Sequence, residues 1–179
     1  MKILKNKLRG CAKLRTEWDF PTPGIEFIDI NPLIMDAKSL RIITRKFVQE
    51  LKDKDIDFIV APEARGFLFG AAIATDLKVG LLPVRKKGKL PPSTVAKTFE
   101  YEKEYGKDFL ELPKLVDGEY KGKKFYIVDD IYATGNTIQG IRKAIEELGG
   151  KVVGYGAVLN IVELNNSKEV FSLIDVNES

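Results

Sequence analysis

The chain has no histidine among its 179 residues and only one cysteine, Cys11. These absences exclude Ser-His-Asp and Cys-His catalysis, His-ligated zinc and an all-thiolate zinc site. They also exclude an internal disulfide, which suits a reducing compartment, so a cytoplasmic location is expected. Long apolar runs are missing: Val152 to Leu159 falls far short of the roughly 20 residues a membrane-spanning helix requires. The basic start, Met1 to Lys7, lacks the apolar segment of a secretory signal, and no membrane partner is expected. Excess charge is missing too, since a net charge of +3 gives little support to a nucleic-acid partner. Neither a Walker-type G-x-x-x-x-G-K-[ST] loop nor the G-x-G-x-x-G dinucleotide fingerprint occurs. Chemistry must therefore rest on carboxylates, Lys, Arg, Tyr, hydroxyls, backbone dipoles or a hard cation held by oxygen.

What is present has the pattern of an α/β protein. Leu40, Ile43, Phe47 and Leu51 follow the 3.6-residue period of an amphipathic helix, and Ile56 to Ala61 reads as a buried strand. A small-residue helix from Phe67 to Leu77 and a strand from Gly80 to Val84 come next. Phe109 to Leu112 reads as a strand, and Phe125 to Val128 is a continuous apolar run of the central-strand kind. A helix starting near Thr137 and carrying Ile138, Ile141, Ile145 and Leu148 is stopped by Gly149-Gly150. Val152 to Leu159 and Val170 to Ile174 complete the set. Strands alternating with helices predict a single α/β domain over residues 1–179, with a mostly parallel central sheet flanked by helices. The break Phe20-Pro21-Thr22-Pro23-Gly24 sets an N-terminal segment apart from the body. Residues 86–106 carry Lys, Pro, Ser, Thr and Glu without sustained period, and read as a long functional loop.

The segment richest in chemistry runs from Phe125 to Thr137, FYIVDDIYATGNT. A buried strand ends in the acid pair Asp129-Asp130, a loop of small residues follows, and a helix begins. Ligands of open α/β sheets sit beyond the carboxyl ends of the strands. A loop entering a helix there offers free N–H groups and the positive end of the helix dipole to an anion. Gly135 allows close backbone approach, and Thr134 and Thr137 add hydroxyl donors, which together suit a phosphate monoester. The carboxylates would repel that phosphate. They fit better as acceptors for neighbouring sugar hydroxyls or as outer partners of hydrated Mg²⁺. A phosphate, two cis hydroxyls and a magnesium-bound pyrophosphate describe 5-phosphoribosyl-1-pyrophosphate (PRPP). The competing reading is an acid pair that merely ends a strand.

The same segment resembles the PRPP-binding signature of type I phosphoribosyltransferases, and further stretches resemble the adenine phosphoribosyltransferase family. Phe20 to Ile30, FPTPGIEFIDI, resembles the segment that folds over the purine, and Glu63 to Gly70, EARGFLFG, resembles the pyrophosphate loop. Arg85 to Pro91, RKKGKLP, resembles a second basic loop; Glu104-Tyr105-Gly106 resembles the end of a mobile catalytic loop; Val162-Glu163-Leu164 resembles a second purine-contacting stretch. The resemblance implies transfer of phosphoribose from PRPP to adenine with Mg²⁺, the metal being carried by PRPP without direct protein ligands. It implies that Ala133, Thr134, Gly135, Asn136 and Thr137 hold the 5-phosphate, and that Asp129 and Asp130 serve ribose and Mg²⁺. Arg65, Arg85, Lys86 and Lys89 would surround the pyrophosphate, with Arg65, Glu104 and Tyr105 acting in catalysis. Phe27 and Leu164 would enclose the adenine, and backbone groups near Ile25 and Ile28 would read its edge. Residues 1–35 would cover the base site, and residues 86–106 would form the flexible catalytic loop. A homodimer and a cis peptide between Glu63 and Ala64 are further implications.

Two features depart from the family. The stretch from Lys89 to Gly106 is about two residues longer than the family's, and it offers two Glu-Tyr pairs. Glu104-Tyr105 is favoured because Gly106 follows, with Glu100-Tyr101 as the alternative. Asn136 stands where glycine is common, and Asn tolerates the left-handed conformation. Transfer to hypoxanthine, guanine or xanthine would use the same PRPP site. A non-catalytic purine-responsive regulator would need a DNA-binding domain, for which the residues before Phe20 are too few. A receiver-like signalling domain with Asp129 and Asp130 as metal ligands would leave Arg65 and the basic loop unexplained.

Overall fold

Apolar strands and amphipathic helices assemble as the alternation predicts, in a computed structural model that describes residues 2–8, 10–20, 23–24, 26–103, 106–165 and 167–177. The strands are β1 (Lys2–Asn6), β2 (Arg15–Trp18), β3 (Glu26–Asp29), β4 (Phe58–Pro62), β5 (Gly80–Lys86), β6 (Val95–Lys103), β7 (Gly106–Pro113), β8 (Lys124–Tyr132), β9 (Lys151–Ile161) and β10 (Phe171–Asn177). The helices are α1 (Asn31–Met35), α2 (Ala37–Leu51), α3 (Arg65–Leu77) and α4 (Asn136–Glu147). The main sheet has the order β1-β10-β9-β8-β4-β5-β7-β6, and β2 pairs with β3 in a separate antiparallel ribbon. From β10 to β5 the strands are parallel, while β1 and the β6–β7 hairpin add antiparallel edges. None of the described helices is long and apolar enough to cross a membrane.

Strand β8 shows why the sheet is buried on both faces. Its side chains alternate with a period of two. Tyr126 and Val128 enter the layer formed with Ile43, Phe47 and Ile73 of α2 and α3. Phe125 and Ile127 enter the layer formed with Ile138, Ile141 and Ile145 of α4 and Leu110 and Leu112 of β7. Helix α2 starts where the Asp36 carboxylate accepts the Ser39 N–H at 2.8 Å, satisfying one first-turn amide.

The strand order places the site. Chain progression runs from β4 to β5 on one side and from β8 to β9 on the other, so it reverses between the neighbours β4 and β8. Ligands of such sheets bind at that reversal, beyond the strand carboxyl ends. Helix α3 follows β4, and α4 follows β8, so both helix N-termini open at this point.

Two sequence expectations need correction, and four short elements were not expected. Residues 86–106, expected as a loop, are largely strand from Val95 onward. Phe99 and Tyr101 press β6 onto α4 at Gly140, where an added Cβ would lie 3.1 Å from the Tyr101 Cβ. Glu100 between those aromatics, with Lys97 and Glu102 on either side, hid the pattern. The acid pair does not end β8, which continues through Tyr132 because Asp129 and Ile131 still pair with β9. Finally, β1, β2, β3 and α1 had no periodic signal, being only 5, 4, 4 and 5 residues long.

Candidate active site

At the β8 end of the reversal, Gly135 adopts φ +85° and starts α4. An added Cβ there would lie 2.4 Å from the Tyr132 hydroxyl, so only glycine fits the turn. Ala133, Thr134, Gly135, Asn136 and Thr137 line a cavity of about 240 Å³ together with Glu102, Asp129, Ile131, Tyr132 and Ile138. First-turn amides of a helix have no intrahelical partner, and they face an anion with the dipole behind them. Asn136 belongs to the first helical turn, so its tolerance of the left-handed region is not used.

The acid pair stands beside this cradle. Asp130 is buried, and the Arg65 Nε lies 2.5 Å from its Oδ2. The guanidinium N–H is not aligned with that oxygen, which accepts no well-formed hydrogen bond. Asp129 Oδ1 accepts the Asp130 N–H at 2.8 Å. Burial, and then the charge of Asp130, push the Asp129 carboxyl well above the usual range. Gly66 permits this crowding, since a Cβ on it would meet Pro62 Cδ at 2.9 Å and Asp129 Oδ1 at 3.2 Å.

The raised Asp129 carboxyl has a consequence for stability. A carboxyl that resists ionisation when folded favours folding below its unfolded value of 3.8 and loses that contribution as pH rises through the folded value. Asp129→Asn is therefore expected to raise the thermal midpoint of the ligand-free protein at neutral pH. The gain over wild type should shrink to nothing near pH 4. Thermal melts across this range check it, and a variant less stable than wild type at pH 7 would contradict it.

At the β4 end, the Glu63–Ala64 peptide is cis, as the resemblance implied. The Glu63 carboxylate accepts the Arg85 Nε–H at 2.9 Å and the Lys86 N–H at 3.0 Å. The bond from Arg85, followed by that from Lys86, holds the Glu63 carboxyl below the usual range. The structure thus brings Arg65 to Asp130, and Arg85 and Lys86 to Glu63. Lys89 sits on the exposed turn after β5, its amide donating to the Lys86 carbonyl at 3.1 Å.

On the β2–β3 ribbon, or hood ribbon, Glu26 and Ile28 point inward and Phe27 and Asp29 outward. Ile28 is 3% exposed, so its side chain belongs to the core and only its backbone is open to a ligand role. Phe27 meets Phe20 edge-on at 5.1 Å, and both line a second cavity of about 330 Å³ with Arg15, Glu17 and Asp29. The Asn31 N–H holds the Asp29 carboxyl below its usual range, helped by Arg15 and by the more distant charge of Arg65. Phe27 therefore shares a strand face with a group that feels Arg65. Leu164 is exposed on a short 3₁₀ turn, Val162–Leu164. Ile25, Glu104 and Tyr105 lie outside the described residues.

Sequence reasoning missed three site residues. The partner role of Glu63 was not assigned, although its place before Arg65 was noted. Glu102 reaches the cavity at the start of α4 only because β6 packs on α4. Asn165 donates to the Ala133 carbonyl at 2.9 Å across 32 positions of sequence, which no local pattern reveals. Among the described residues, no three or more His, Cys, Asp or Glu gather where they could hold a metal ion.

Comparison with known proteins matches the geometry. Residues 34–176 fit the model of the phosphoribosyl transferase domain family. The chain is 48% identical over 151 residues to an adenine phosphoribosyltransferase of Clostridium acetobutylicum, covering 84% of this chain and 86% of that protein. Among solved structures, adenine phosphoribosyltransferase from Thermoanaerobacter pseudethanolicus superposes with a TM-score of 0.83 at 42% identity, over 91% of this chain and 95% of that one. The Saccharomyces cerevisiae adenine phosphoribosyltransferase, complexed with an imino-altritol bisphosphate and adenine, gives 0.77 at 34% identity, over 89% and 93%.

Proposed function

This chain belongs to the phosphoribosyl transferase domain family and within it to the adenine phosphoribosyltransferases, and on that premise we propose how its residues divide the work of converting adenine and PRPP to AMP and pyrophosphate. The observation that carries the reading is the meeting, at the sheet's reversal, of an anion cradle, an acid pair and Arg65. Ala133 to Thr137 hold the 5-phosphate through first-turn amides and threonine hydroxyls. Asp129 and Asp130 accept the ribose hydroxyls, the buried Oδ2 of Asp130 being held against Arg65. Arg65 turns its remaining donors to the pyrophosphate, for which a planar fork is suited. Arg85, Lys86 and Lys89 add positive charge around the leaving group. Phe27 and Leu164 enclose the adenine, with the backbones of Ile25 and Ile28 at its edge.

The bond from the anomeric carbon to pyrophosphate breaks as a purine nitrogen attacks, and the electron pair leaves with the pyrophosphate. The chain's task is positioning and charge stabilisation. Residues 86–106, with strand β6 lying over α4, shield the site from water, and Glu104, together with Tyr105, holds or accepts the proton at the purine ring. The carboxylate oxygens of Asp129 and Asp130 are the hard donors that Mg²⁺ favours, through water. When bound with PRPP, Mg²⁺ neutralises the pyrophosphate charge. Residues 1–35 cover the base site within the single domain of 1–179, and the lone cysteine suits a cytoplasmic protein.

Base choice tests the reading. AMP should form from adenine faster than IMP or GMP form from hypoxanthine or guanine under identical PRPP and Mg²⁺. Equal or faster use of those bases would move the chain to another purine. We also propose a homodimer, for which sedimentation at working concentration should give about twice the 20.1 kDa chain mass, and a single-chain mass would oppose it.

A further inference from the structure

Asn165 follows the turn that carries Leu164, and its amide nitrogen faces three oxygens: the Ile161 carbonyl at 2.8 Å, the Ala133 carbonyl at 2.9 Å and Asn160 Oδ1 at 3.0 Å. Its amide oxygen faces the opposite way and accepts the Ser167 N–H at 3.1 Å. The two ends of the amide are therefore not interchangeable, and the donor end is required. Ala133 opens the phosphate cradle, and Ile161 is the last residue of β9 before the Leu164 turn. Asn160 is buried, and its own amide donates to Asp175 Oδ1 at 3.3 Å on β10. One side chain thus bolts the cradle after β8 to the turn after β9, on a base anchored in the next strand.

We propose, on the reading of the cradle and of Leu164 given above, that Asn165 is a positioning residue that fixes the spacing between the 5-phosphate site and the adenine site. It touches neither ligand. Its effect falls on molecules that must fill both sites at once. AMP carries a phosphate and a purine at a set separation, so it needs the two half-sites in register. Ribose 5-phosphate needs only the cradle, and adenine only the base site. Removing the donor lets the turn and the cradle drift apart without altering the contacts inside either.

The test compares calorimetric binding of AMP, ribose 5-phosphate and adenine to the full chain and to two variants. Asn165→Asp keeps the shape and turns a carboxylate oxygen toward three other oxygens. Asn165→Ala removes the bonds without adding repulsion, and decides the matter alone if the first variant does not fold. AMP affinity is expected to fall about tenfold or more in Asn165→Asp and about fivefold in Asn165→Ala, while each fragment stays within about twofold of wild type. A merely structural role would weaken the fragments as much as AMP. An AMP loss no larger than the product of the two fragment losses overturns the proposal. Absence of AMP binding by the unsubstituted chain would overturn the adenine phosphoribosyltransferase reading along with it.

Discussion

Asp130→Asn is expected to lower kcat/KM for PRPP by about a hundredfold or more while leaving adenine affinity within about twofold. The substitution conserves shape and removes charge at a buried position. Two interactions go with it. The Arg65 Nε, 2.5 Å from Oδ2, loses its anionic partner, and the guanidinium loses the anchor that aims it. The carboxylate that we assign to a ribose hydroxyl becomes an amide with half the accepting capacity. Interactions with charged groups contribute about 1.5–3 kcal/mol each, so loss of both passes the roughly 2.7 kcal/mol of a hundredfold change. Adenine is spared because the acid pair stands on β8, whereas Phe27 belongs to the hood ribbon. Kinetics with PRPP as the varied substrate, alongside direct adenine binding, separate these effects. Unchanged PRPP kinetics would reduce the acid pair to strand residues without a ligand role.

Gly135→Ala is expected to raise KM for PRPP by about thirtyfold and to lower the thermal midpoint by roughly 4–8 °C. Two causes add. The position has φ +85°, where a side chain costs about 1 kcal/mol. The new Cβ would also stand 2.4 Å from the Tyr132 hydroxyl. Tyr132 cannot simply swing aside, because its ring is buried and stacks on Tyr155 at 5.9 Å with 13° between planes. Overpacking of this kind costs about 1–3 kcal/mol, so about 2 kcal/mol in all is a modest expectation. The chain will relieve the contact by moving the loop, and the loop is what we assign to the phosphate. A variant with a lowered midpoint but unchanged KM would show that the cradle geometry does not set PRPP affinity.

The catalytic architecture was legible wherever chemistry and periodicity coincided. The run FYIVDD reads as a central strand because it is buried on both faces, and the glycine-threonine loop reads as a cradle because a helix begins directly after it. The acid pair beside that loop was enough to suggest a PRPP site, and the family resemblance added Arg65 to it. The pairing between them was not legible. Nothing local says that Arg65 meets Asp130, or that Arg85 and Lys86 meet Glu63, because the sheet order brings those strands together across 65 and 22 positions. The β2–β3 ribbon escaped periodicity because β2 is exposed at all four positions and β3 offers only two inward ones. Strand β6 escaped because Lys97, Glu100 and Glu102 interrupt its apolar residues, so the burial of Tyr101 against α4 could be recognised only in three dimensions. That same packing brings Glu102 to the cradle.

The most direct test of the account is the stoichiometry of one reaction, in which the purified chain is given PRPP, Mg²⁺ and adenine and both products are counted. The account predicts AMP and pyrophosphate in equal amounts, with pyrophosphate release depending on the presence of adenine. Pyrophosphate released without matching AMP, or PRPP left unconsumed in the presence of adenine, would contradict it.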